Sequence, residues 1–256
     1  MNWPFGSQDE QRKIDFIIIG TQKGGTTALD AYLRQHPEIG MSDIKEVHFF
    51  CTEKFFRFGR KPYALYHEHF KHVLDRKVLG EATPLYMYWK PAPKRIWEYN
   101  PQIKLIAVLR NPVERAYSAW NMVKQLNAET RPFGEAIRQE LANGVEALPA
   151  KKGCGYVHRG FYAEQLGRIW NYFPREQTLI FKSEDLKHRH VETLNRLCDF
   201  IGVSHMPGVE HRETQARTYE EPIRAEDKKL LREVFEPEIK KVEKLLNWDC
   251  SRWLAD

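Results

Sequence analysis

Four short apolar runs recur along the chain: DFIIIG (15–20), KVLGEA (77–82), IKLIAVLR (103–110) and QTLIFK (177–182). Each reads as a strand buried on both faces. Helical patterns lie between them. After the first run, Leu29, Tyr32 and Leu33 fall at i, i+3, i+4. After Arg110, NPVERAYSAWNMVKQL opens with Asn111 at a cap position and Pro112 in the first turn, and Val113, Ala116, Tyr117 and Trp120 keep helical spacing. HRGFYAEQLGRIWNYFP (158–174) and HVETLNRLCDFIG (190–202) add two helices, the second stopped by Gly202. EDKKLLREVFEPEIKKVEKLLNW (226–248) is long, charged and amphipathic, and Pro237 is expected to kink or interrupt it. Buried strands alternating with helices predict a single α/β domain over residues 1–256, a central parallel β-sheet flanked by helices, with residues 1–13 as a flexible N-terminus. In such sheets ligands sit beyond the carboxyl ends of the strands. Loops 20–27 and 110–118 both follow strands at that end.

The 40 basic and 35 acidic residues leave a net charge of +5. That is too mild to indicate nucleic acid and suits a protein that handles a small polyanion. No apolar run approaches the length of a membrane span. The first residues, MNWPFGSQDEQRK, lack the basic, apolar and small-residue order of a signal peptide, so a cytoplasmic protein without a membrane partner, monomer or homodimer, is expected. The four cysteines (Cys51, Cys154, Cys198, Cys250) share no metal-ligand spacing and read as reduced thiols. The HEH at His67–His69 places its imidazoles on different sides of a helix, and no metal is expected.

The join between the first strand and its helix, GTQKGGTT (20–27), has the form of a phosphate-binding turn. In the nucleoside-triphosphate loop G-x-x-x-x-G-K-[ST] the lysine follows the second glycine. Here Gly20 and Gly25 keep the separation, but Thr26 stands where that lysine should be and Lys23 lies inside the loop. Loop amides and the helix N-terminus still form an anion cradle. Gly24 and Gly25 let the main chain approach the anion, while Thr26 and Thr27 offer hydroxyls and a cap for the helix. Lys23 is placed beside a phosphate held at the turn rather than along a triphosphate. No acidic strand-end partner for magnesium is evident. The plain alternative is a glycine-rich turn with no ligand.

This arrangement resembles the 5′-phosphosulfate loop of sulfotransferases that use 3′-phosphoadenosine-5′-phosphosulfate (PAPS). The resemblance implies a P-loop-like site in which Lys23 stands at the bridging oxygen, where charge grows as the S–O bond breaks, with adenosine 3′,5′-bisphosphate (PAP) as product. It also implies a second site for the 3′-phosphate, made by an arginine at a strand end and a serine in the next helix. In LRNPVERAYSAW these are Arg110 and Ser118. Arg115 either faces the ligand or pairs with a carboxylate. In ETQARTYEEP, Arg217 matches the arginine of a Lys-Gly-Arg loop that closes over the nucleotide in related enzymes; Gln215 and Ala216 depart from it.

The string KEVHFF (45–50) resembles the heparan sulfate 3-O-sulfotransferase group, where the glutamate is taken as general base with the histidine nearby. That implies Glu46 as base, then His48; in a strand-like segment the two project to the same side. Read alone, Glu46 is a salt-bridge partner of Lys45 and His48 a partly buried histidine. Two departures stand out: Cys51 where the glycan enzymes often carry an acid, and Ala82 where they carry a lysine. They turn the expectation toward transfer to a hydroxyl, less an amine, of a small-molecule or natural-product acceptor. The stretch 53–72 and the loop 143–157 would form the acceptor walls, with Tyr86, Tyr88, His158 and Tyr162 as contacts and His158 as a further candidate base. The competing readings are a glycan (heparan-type) O-sulfotransferase, a P-loop kinase or NTPase, and a noncatalytic nucleotide-binding protein.

Overall fold

The computed structural model describes residues 12–144, 155–206, 219 and 221–255. Strands β1 (Phe16–Gly20), β2 (Ile39–Met41), β3 (Val78–Ala82), β4 (Lys104–Leu109) and β5 (Thr178–Lys182) form one sheet in the order β2-β3-β1-β4-β5. Every neighbouring pair is parallel, with Phe16 opposite Gly80 on one side and Lys104 on the other. The helices are α1 (Thr26–Leu33), α2 (Tyr63–His67), α3 (Ala92–Tyr99), α4 (Pro112–Gln125), α5 (Phe133–Asn143), α6 (Tyr162–Trp170), α7 (Ser183–His188), α8 (His190–Ile201), α9 (Ala225–Leu246) and α10 (Ser251–Leu254).

Successive side chains of a strand point to opposite faces, and this divides the core into two layers. Ile17 and Ile19 join Leu105, Ala107 and Leu109 on the face covered by Ile96, Leu166 and Phe235. Phe16 and Ile18 join Ile106 and Val108 on the other face, beneath Leu29, Leu33, Leu194 and Leu197. The parallel sheet covered on both faces is therefore present, and the four expected strands lie within a residue of their predicted bounds. β2 was not expected: three residues, one of them glycine, carry too little pattern to read.

Two helical expectations change and a third holds. Residues 158–174 do not form one helix; a short turn at His158–Gly160 precedes α6, because Phe161 leaves helical geometry at ψ 76. The helix after Arg189 stops at Gly202 as predicted, with the glycine N–H donating to Cys198 O at 2.8 Å. Pro237 does not interrupt α9, which runs through it from Ala225 to Leu246. Pro237 lies on the exposed side, where water can satisfy the carbonyl its missing N–H leaves free, while Leu231, Phe235, Ile239 and Val242 anchor the buried side.

Replacing that proline restores the N–H. Pro237→Ala is expected to raise the unfolding free energy by up to about 3 kcal/mol, read from denaturant midpoints. An unchanged midpoint would show that the proline carries no penalty at this position.

Candidate active site

Three segments meet at the adjacent carboxyl ends of β3, β1 and β4. The first follows β1. Thr21 turns immediately onto β4: its N–H and its hydroxyl both donate to Val108 O, at 3.0 and 2.8 Å. Gly24 N–H then closes on Thr21 O at 2.9 Å. A Cβ on Gly24 would lie 2.3 Å from Val108 O, so only glycine fits. Lys23 (φ 69) and Gly25 (φ 110) are both left-handed. Gly25, not a threonine, is the N-cap of α1, and no side chain caps the helix. This corrects the expected capping role: Thr26 is buried and Thr27 exposed. The first-turn amides of α1 are left for another acceptor.

The second segment follows β4. Asn111 accepts from Val113 N at 3.0 Å and starts α4 as predicted. Arg110 donates from Nε and Nη2 to Glu114 Oε2 at 3.1 and 2.9 Å. A cavity of about 180 Å³ opens beside it, lined also by Tyr117, Tyr219 and Lys228. Ser118 is buried rather than solvated. Arg115 is fully buried; Nη2 donates to Tyr156 O, while Nε and Nη1 have no hydrogen-bond partner among the described residues. Burial pulls its pKa down. It forms no ion pair with a carboxylate among those residues.

The third segment crosses the end of β3. Glu46 N–H donates to Ala82 O at 2.9 Å. Glu46 (φ 64) and His48 (φ 57) are both left-handed, so the expected strand-like geometry is absent. Their side chains nevertheless meet, with His48 Nε2 3.3 Å from Glu46 Oε2, while Lys45 Nζ holds Oε1 at 2.9 Å. The hydrogen bond from His48 and the charge of Lys45 outweigh burial and hold the Glu46 carboxyl at about 2. With Nε2 turned to the carboxylate, Nδ1 faces Cys51 Sγ at 3.3 Å. Beneath them lies Glu81, wholly buried and pushed up by that burial. It accepts from Tyr66 OH (2.7 Å), Thr83 Oγ1 (2.6 Å) and Tyr86 OH (3.2 Å).

A sulfotransferase domain model matches residues 13–243. The chain belongs to the sulfotransferase domain family. A sulfotransferase from Alicyclobacillus acidocaldarius has a similar crystal structure, with a TM-score of 0.79 and 26% identity over 96% of this chain and 100% of that one. Human heparan sulfate glucosamine 3-O-sulfotransferase 6 is 32% identical over 76% of this chain and 54% of its own length. The membrane-associated sulfotransferase kil1 of Dictyostelium discoideum is 26% identical over 92% and 65% respectively. The chain thus spans between half and two-thirds of the length of these two relatives. No helix among the described residues is long and apolar enough to cross a membrane.

The family implies PAPS as sulfuryl donor, and it displaces the kinase reading. Two features suit a ligand phosphorylated at both ends: the loop at residues 23–27, held so close to β4 that Gly24 has no room for a Cβ and followed by a helix with no side-chain cap, and the cavity where Lys228 joins Arg110. Lys228 was hidden in a charged helical run, with no signal to mark it. Arg159 was also missed; its guanidinium donates to Gln22 Oε1 in the loop and lies 5.1 Å from the Tyr88 ring centre. Of the expected acceptor contacts, Tyr86 and Tyr162 are buried and Tyr88 is half-buried. His158 is buried, 3.9 Å from Glu140 through Nε2. Arg217 and most of the loop 143–157 lie outside the described residues.

Glu46 has a testable linkage. Its folded pKa lies below the ordinary 4.5, so its stabilisation is present above 4.5 and lost as pH falls toward about 2. Between about pH 5 and pH 3 the wild type should therefore lose more stability than Glu46→Gln, by urea midpoints. Equal losses would mean that His48 and Lys45 do not hold the carboxylate.

Proposed function

We propose that this sulfotransferase moves a sulfuryl group from PAPS to a hydroxyl of a small-molecule or natural-product acceptor. The observation that carries the reading is the meeting of the Lys23 loop, the Glu46–His48 pair and the Arg110 strand end at three adjacent strand ends. In this reading the 5′-phosphosulfate lies on the amides of residues 23–27 and the 3′-phosphate lies against Arg110, with Ser118 as a hydroxyl partner. Arg217 would close over the nucleotide.

The acceptor oxygen attacks sulfur in line as the bond from sulfur to the 5′-phosphate oxygen breaks, and the electron pair stays on that oxygen. Lys23 meets the charge that grows there. Such transfers are loose, so the protein works mainly by positioning and electrostatics. The acceptor proton passes to Glu46, ionised at any working pH; a carboxyl held at about 2 is a weak base, which suits an acceptor proton released late. His48 orients the carboxylate and is the second candidate for the proton. The free thiols Cys51, Cys198 and Cys250 accord with a reducing, cytoplasmic setting.

A glycan acceptor is the second reading, favoured by the 32% identity to the human 3-O-sulfotransferase. Against it stand Cys51, packed on His48, and Ala82, buried in β3 with no cation to offer. Incubating the protein with labelled PAPS and parallel panels of small hydroxylated compounds and heparan oligosaccharides, read by mass shift, separates the two.

The nucleotide half is tested without knowing the acceptor. PAP should raise the melting temperature well above the shift given by AMP, since bound ligand adds stability by mass action. Gly24→Ala should abolish that shift. Glu46→Ala should keep it while turnover of an identified acceptor falls by roughly 10²–10⁴. Equal shifts from PAP and AMP would remove the case for a 3′-phosphate pocket.

A further inference from the structure

Two loops at the ends of neighbouring strands must hold opposite ends of one small nucleotide, and a single buried hydroxyl lies against both. Tyr162, the first residue of α6, is 1% exposed. Its hydroxyl donates to Arg110 O at 2.9 Å and lies beside the Thr21 side chain. Thr21 in turn is fastened to Val108 O through both its N–H and its hydroxyl. Thr21 lies two residues before Lys23, and Arg110 two residues after Val108. Behind the tyrosine ring stands Trp253 at 6.5 Å, and Trp253 O accepts from Asn111 Nδ2 at 3.2 Å. The ring is thereby backed by the residue that follows Arg110.

We propose that Tyr162 is a positioning residue that sets the separation of the two phosphate-binding loops, and so the preference for nucleotides phosphorylated at both the 3′ and 5′ ends. This rests on the nucleotide reading given above. A ligand gripped at two points gains from the second contact only while the two sites keep the ligand's own span. A ligand gripped at one point is indifferent to that span. Burial pushes the Tyr162 hydroxyl up to about 12 despite the nearby Arg115 and Arg110 charges, so it remains a neutral donor throughout the working range. Its contacts are with loop backbone and a loop hydroxyl, which suits a spacer rather than a phosphate ligand.

Calorimetric titration of PAP and AMP into wild type, Tyr162→Phe, Thr21→Ser and Thr21→Val tests this, with KM and kcat for PAPS measured once an acceptor is in hand. Wild type should prefer PAP. Tyr162→Phe should weaken PAP by about five- to tenfold, the worth of one buried hydrogen bond, and leave AMP within about twofold. KM for PAPS should rise with kcat near wild type. Thr21→Ser, which keeps the hydroxyl, should retain the preference, and Thr21→Val should lose it; that pair decides the matter if Tyr162→Phe does not fold. An equal weakening of PAP and AMP, or no change in either, overturns the spacer role. A wild type that does not prefer PAP overturns the nucleotide reading itself, before any variant is made.

Discussion

The carbonyl oxygen of Val108 accepts two hydrogen bonds from Thr21, and much of the site follows from that one acceptor. It draws the chain leaving the central strand sideways onto the neighbouring strand. The loop is then so close to β4 that Gly24 has no room for a side chain. The helix that follows begins on a glycine without a side-chain cap, which leaves its first amides open to an anion. A different residue at 24, or a Thr21 unable to make both bonds, would move the cradle away from the strand that carries Arg110.

Strain is concentrated around the same place. Lys23, Glu46 and His48 all occupy the left-handed region, at a cost of roughly 1–2 kcal/mol each for residues bearing a Cβ. Glu46 and His48 are held there by hydrogen bonds to β3 and its continuation: Glu46 N–H to Ala82 O and His48 N–H to Thr83 Oγ1. Below them Glu81 binds three hydroxyls, so the polar group under the pair is satisfied while remaining dry. The pair meets because the backbone is bent twice, not because it is extended.

That difference marks how far the sequence could be read. β1, β3, β4 and β5 were legible because strands covered on both faces are apolar throughout, whatever their neighbours. The glycine-rich turn carrying Lys23 and the helix start at Asn111 were legible because such turns and caps use local spacing, whereas Arg110 was marked through the resemblance. Glu46 and His48 were legible as a pair through resemblance, but the alternation rule gave the wrong geometry, since left-handed residues other than glycine leave no mark in the sequence. Pro237 misled because its effect depends on which side of α9 faces water. Tyr162 was read as an acceptor contact and Lys228 was not read at all: a tyrosine at the start of a helix and a lysine in a charged run have ordinary local explanations, and Arg110, which each of them adjoins, lies 52 or more positions away.

The clasp between Thr21 and Val108 joins residues 87 apart, and Tyr162 adds another 52 beyond Arg110. The clasp of Thr21 waits for β4, and the contact of Tyr162 with Arg110 waits for α6. The glycine-rich loop is made among the first segments, and its contacts are completed among the last. Loss of ligand grip would thus be an early sign of trouble anywhere in the fold, ahead of any change in helix content.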